Sequence, residues 1–175
     1  MTTLHSTNTY NVQATLDNWF QTQLAGYTTP PLIPTTAVTL VYPDAGIQPP
    51  AFSLQHINVA NYDRYQGRNA DIGESGTMKA MRMMDISVWV SRINSSGYRN
   101  DTWEQDMRIM CAVTEDIFRH IKTVNLFDYT TAASPSATLY KINLHDCVGS
   151  PTPPDPNPGI MRQRYTISYD WLIRG

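Results

Sequence analysis

Two cysteines, Cys111 and Cys147, are too few for a disulfide framework, and a reduced cytosol suits them. Both are expected to be small core residues. No apolar run approaches the roughly 20 residues that cross a bilayer, so no membrane span and no membrane partner are expected. The opening stretch, Met1 to Asn8, lacks a basic region followed by an apolar one, so neither a signal nor a transit peptide is read there. The chain is expected to be made and kept in a soluble compartment. Basic residues are not in excess, since 13 Lys and Arg stand against 15 Asp and Glu for a net charge of -2. Generic nucleic-acid binding is therefore not expected.

Motifs for chemistry are also missing. His145, Asp146 and Cys147 are adjacent, but on a strand His145 and Cys147 share a face while Asp146 points away, so the three do not converge. A cysteine nucleophile needs a positioned base and an oxyanion site, and nothing in the pattern marks either. His5, His56 and His120 fall on different elements without metal-ligand spacing. Gly67, Gly73 and Gly76 fit neither GxGxxG nor a P-loop, and Asp63, Asp71 and Glu74 lack EF-hand spacing among Arg64 and Arg68. These are read as solvated loop charges. No enzyme, catalytic residue, metal or cofactor is expected.

What is present is enough for a core: 175 residues with 41% hydrophobic content suit one domain over 1–175. Thr9 or Asn11 is placed to cap a first helix with Val12, Leu16, Trp19, Phe20 and Leu24 at helical spacing, and Gly26 stops it. After Pro30, Pro31 and Pro34, Ala37 to Tyr42 alternates like a strand, and Phe52 to Val59 is the strand expected to answer it. Asn61 to Gly76 has no periodicity and is read as a long mobile loop. Thr77 to Ile93 reads as a long central strand, with Ile86, Val88 and Val90 alternating with Asp85, Ser87, Trp89 and Ser91.

Asp101 or Thr102 opens a second helix, with Glu104 or Gln105 three residues on as a capping box. Met107, Met110, Cys111, Thr114, Ile117, Phe118 and Ile121 give it a broad apolar face, and His120 and Lys122 suit the negative end of its dipole. Thr138 to Cys147 places Tyr140, Ile142 and Leu144 on one side of a strand and Lys141, Asn143 and His145 on the other. Gly149 to Gly159, with five prolines, is read as a stiff exposed loop between neighbouring strands. The closing strand puts Tyr165, Ile167, Tyr169, Trp171 and Ile173 on a buried stripe and Thr166, Ser168 and Asp170 opposite, facing a neighbouring subunit or a lumen.

Tyr and Trp favour surfaces half buried against a partner. Trp89 lies opposite Ile86, Val88 and Val90, so either a helix or another subunit covers it, and it is a candidate subunit contact. Met78, Met81, Met83 and Met84 are read as core filling or a subunit contact.

Three stretches, NVQATLDNWFQTQLAG, MDISVWVSRI with TWEQDMRIMCAVTEDIFRHI, and TLYKINLHDC with RQRYTISYDWLIRG, give the chain a pattern that resembles the tail terminator (tail completion) proteins of long-tailed bacteriophages. The resemblance is one of size, element order and texture over most of the chain. It implies an α/β (α+β) domain, a mixed, mostly antiparallel sheet flanked by two main helices. It also implies a ring, a hexamer in that family, that caps the tail tube, ends tube polymerisation and joins the head connector. The partners implied are further copies of the chain, the tube protein and the connector protein, with DNA passing the lumen without specific binding. The location implied is the virion tail or neck, after synthesis in the host cytoplasm. A neck or head completion protein, or a tail tube subunit, is the alternative. Asn61, Tyr62, Arg64, Tyr65, Arg68, Asp71 and Glu74 are the candidate interface loop, ordering on docking. Limited proteolysis of the free protein is expected to cut first between residues 61 and 76, and resistance there would count against that assignment.

Overall fold

Val12, Leu16, Phe20 and Leu24 recur every four residues, and the chain folds there into helix α1, Thr9–Ala25, with all four fully buried. The computed structural model describes residues 9–29, 32–41, 46–57, 78–93, 96–128, 136–150 and 159–173. At the end of α1 the chain tightens, the Gly26 and Tyr27 amides donating to Gln23 and Leu24 carbonyls at 3.0 Å each. The Tyr27 hydroxyl then donates to Asp116 Oδ2 at 2.6 Å, which fixes this end of α1 to the second helix.

That helix, α2, runs Trp103–His120 and buries Met110, Val113, Thr114, Ile117 and Phe118. The expected capping box does not form: Thr102 has helical backbone angles and makes no side-chain cap. Instead Asn100 Oδ1 accepts from the Thr102 amide at 3.2 Å and the Thr102 hydroxyl at 3.0 Å, so the turn is held one step earlier. The C-terminal end follows the dipole argument, with Lys122 Nζ donating to the Phe118 carbonyl at 3.1 Å.

Among the described residues five strands form one antiparallel sheet: β1, Ala51–Ile57; β2, Met78–Ser91; β3, Thr123–Asp128; β4, Ser136–Ser150; and β5, Ile160–Ile173. Their order is β1-β2-β5-β4-β3, so the last strand of the chain is the middle of the sheet. Two sequence expectations are corrected here. Among the described residues of the expected strand Ala37 to Tyr42 none forms one: Thr35–Val38 turns as a 3-10 helix behind Pro34 and Val41 reaches the sheet in one parallel bridge to Ser53, while Tyr42 lies outside the described residues. β1 therefore answers β2, pairing Phe52 with Val88 and Leu54 with Ile86. β3 was not anticipated, although Val124 and Leu126 are buried while Thr123 and Asn125 are exposed, an alternation already present in TVNLFD.

Both helices cover one face of the sheet. On that face β2 supplies Met84, Ile86 and Val88, and β5 supplies Tyr165, Ile167, Tyr169 and Trp171, all within one core with the buried sides of α1 and α2. The sheet curls so that both edge strands reach α1. On one side Phe20 meets Phe52 of β1 edge to face with centroids 6.0 Å apart, and it stacks on Phe118 of α2 at 5.9 Å. On the other, a register shift between Asn125 and Phe127 frees the Phe127 amide from its ladder, and it donates to Thr15 Oγ1 at 3.2 Å. Among the described residues no helix is long and apolar enough to cross a membrane.

Phe20 thus touches α2 and β1 at once and has no room to be replaced by neighbours. Phe20→Ala is expected to cost about 3–5 kcal/mol. A urea unfolding midpoint unchanged from that of the parent protein would contradict the placement.

Candidate functional site

The candidate interface residues Asn61, Tyr62, Arg64, Tyr65, Arg68, Asp71 and Glu74 lie outside the described residues, as do 151–158 of the proline-rich loop. Trp89 lies within them. It sits on the face turned away from both helices, paired across with Ala51 on β1 and Arg162 on β5. Its indole N–H donates to Ser53 Oγ at 2.8 Å, and the Arg162 guanidinium lies over the ring at 4.7 Å, leaving it 9% exposed. No described helix covers it.

That face carries a polar network where an apolar one would be expected beneath a second layer. Arg162 Nε donates to Ser87 Oγ at 3.0 Å, and the Thr166 hydroxyl donates to Asp85 Oδ1 at 2.6 Å. Arg164 stands 3.8 Å from the other oxygen of Asp85. Further along, Asp170, almost wholly buried, accepts from Asn143 Nδ2 at 2.7 Å and pairs with His145. A buried carboxylate is tolerated only with such partners, so Asp170 is a fixed strut of the sheet. This bears on the sequence reading of Thr166, Ser168 and Asp170, whose face is correct but whose carboxylate is already engaged within the chain.

The expectation that His145 and Cys147 share a face is overturned. Between Leu144 and Cys147 the register shifts, and Cys147 comes opposite Ile167 on the helix side while His145 bonds Asp170 on the other. Cys147 lies in a 300 Å³ depression with Glu115 and Lys122 near the end of α2. Burial, and then the Glu115 charge, push its thiol up to about 11. Burial raises Cys111 as well. Both thiols are free and pack against the core, as expected from sequence.

Sequence reasoning missed a different constellation. His56, the third core-facing position of β1 after Phe52 and Leu54, has Nε2 3.0 Å from Asp17 Oδ1 of α1. Its Nδ1 lies 3.4 Å from the hydroxyl of Tyr169, whose ring meets the imidazole edge to face. Desolvation holds the Tyr169 hydroxyl far above its usual range, so it stays protonated as a donor. The available signal was a histidine where period-two alternation demands an apolar side chain. Among the described residues no group of three or more His, Cys, Asp or Glu is arranged to hold a metal.

Neither a protein-family model nor a curated protein matches the chain.

A thiol with its pKa near 11 stays protonated at pH 8, and thiolate grows only as the pH nears that value. Iodoacetamide at pH 8 is accordingly expected to label Cys147 roughly 200-fold more slowly in the native protein than in urea, where a free thiol ionises near its ordinary value. Peptide mapping by mass spectrometry reads the two rates, and equal labelling would show an ordinary accessible thiol and contradict the burial of Cys147.

Proposed function

We propose that this chain is a structural virion protein, a subunit of a ring that caps the tail tube of a long-tailed phage, ends tube polymerisation and offers the joining surface to the head connector. The observation that carries the reading is the fold: helix, two strands, helix and three strands in one curled antiparallel sheet with both helices on one face. That is the element order and α+β architecture that the resemblance to tail terminators implies. A closed ring needs two different surfaces that meet head to tail. Trp89, with Arg162 over it, is the proposed subunit contact, and residues 61–76 are the proposed contact to the tube. DNA passes the lumen without specific recognition, in keeping with the net charge of -2.

Negative-stain electron microscopy and a solution mass test the proposal together. Single rings are expected, several-fold heavier than the 19.8 kDa chain, and they should attach to the ends of tubes made from the tube protein. Rings that stack by themselves into tubes would instead identify a tube subunit, and rings that bind the connector but not tubes a neck protein. A monomer that never forms rings, alone or with tubes, would end the reading.

A further inference from the structure

The Asp17 and His56 pair stands at the wall of an open cleft of about 460 Å³ between α1 and the β1 edge. Its composition is one-sided in charge. Among the described residues that line it, Asp17 is the acid and none is Lys or Arg. Arg82 is buried on β2, between β1 and β5 and paired across with Tyr169, and is not among the described lining residues. His56 Nε2 stands 3.0 Å from Asp17 Oδ1, and a Tyr169 hydroxyl that donates to Nδ1 leaves the ring proton on Nε2, toward the carboxylate. This fixes the carboxylate in place and uses one of its oxygens, while a carboxylate has acceptor sites for several donors. Asn18 turns its amide nitrogen onto the Ala14 carbonyl at 2.9 Å, which leaves its side-chain oxygen as an acceptor on the same wall. The opposite wall is apolar, formed by Leu40, Val41 and Leu54, and the ring of Tyr10, 58% exposed, stands at the mouth.

We propose that this cleft is a docking site for an arginine or lysine side chain of a protein partner, its aliphatic stem lying on Leu40, Val41 and Leu54 and its cationic head meeting the Asp17 carboxylate. A long stem with a donor-only head matches both walls, because such side chains bury their methylenes while the charge finds acceptors. The oriented carboxylate costs little to arrange on binding, since His56 already holds it. Trp89 lies on the other face of the sheet and is not part of this cleft, so the proposal stands whether or not the chain forms rings.

Two small probes test it: N-acetyl-arginine amide, and N-acetyl-norleucine amide as the uncharged match for the stem. The readout is the NMR signal of the His56 imidazole in protein carrying labelled histidine. Saturable shifts with the arginine probe, small or absent ones with norleucine, and weakening as salt is raised from 50 to 500 mM are expected. Asp17→Asn keeps an acceptor oxygen for His56 and is expected to weaken binding by about tenfold or more. Asp101→Asn removes a charge at a remote, exposed position and is expected to bind as the parent does. The salt series needs no variant, so it decides even if Asp17→Asn fails to fold. No shift with the arginine probe, equal shifts with norleucine, or binding insensitive to both salt and Asp17→Asn would overturn the proposal.

Discussion

The fold depends on a strand that is last in sequence and central in the sheet. β5 pairs with β2 along its whole length and with β4 through most of it, and β2 and β4 do not pair with each other. Without β5 the sheet is two separate two-stranded ribbons, β1 with β2 and β3 with β4, and ribbons of that size are marginal in water. Its core side does more than fill space. The Tyr165 hydroxyl donates to Glu115 Oε1 of α2 at 2.9 Å, and the Tyr169 hydroxyl reaches His56 and through it Asp17 of α1. One strand thus positions both helices and joins both halves of the sheet. Pairing over such sequence separations requires closing long loops before native contacts reward it, so the order of events in folding is set by this strand.

The two faces of the sheet solve different problems. The helix side is packed with apolar side chains, and among its described polar groups are tyrosine hydroxyls and one histidine that end on carboxylates, together with Arg82, buried opposite Tyr169. The opposite side is made of charged and polar side chains whose partners sit across the strand gaps: Thr166 on Asp85, Arg162 on Ser87, Asn143 and His145 on Asp170. Cross-strand pairs of this type fix register, because a slip by one residue would exchange Asp170 with Trp171 and put a carboxylate in the core. Paired in this way, Asp85 and Asp170 do not require a second layer to neutralise their charges.

The strands with strict alternation were legible. Ile86, Val88 and Val90 against Asp85, Ser87 and Trp89, and Tyr165, Ile167, Tyr169 and Trp171 against Thr166 and Asp170, fall on the faces the spacing predicts. The apolar faces of α1 and α2 were legible for the same reason. Ala37 to Tyr42 misled because Val38, Leu40 and Tyr42 alternate over too few residues, and the proline before them set up a turn that local pattern does not weigh. The bulge at 145–146 misled because a single inserted residue swaps faces downstream without leaving any mark on composition. The Asp17, His56 and Tyr169 chain was invisible as a spacing, since its members come from α1, β1 and β5 and meet only after the sheet curls.

These arrangements bear on how the molecule does its work. A catalytic acid, base or nucleophile needs a proton position or lone pair left open toward a substrate. Among the described residues both nitrogens of His56 are engaged, His145 Nε2 meets Asp170, Glu115 accepts from Tyr165, and burial raises the Cys147 thiol. Networks closed in this way stiffen a scaffold and leave recognition to shape, to exposed charge and to whatever acceptor capacity remains at the rim. The Asp17 carboxylate is such a remainder, and it is held in the cleft by the same tyrosine strand that holds the fold together.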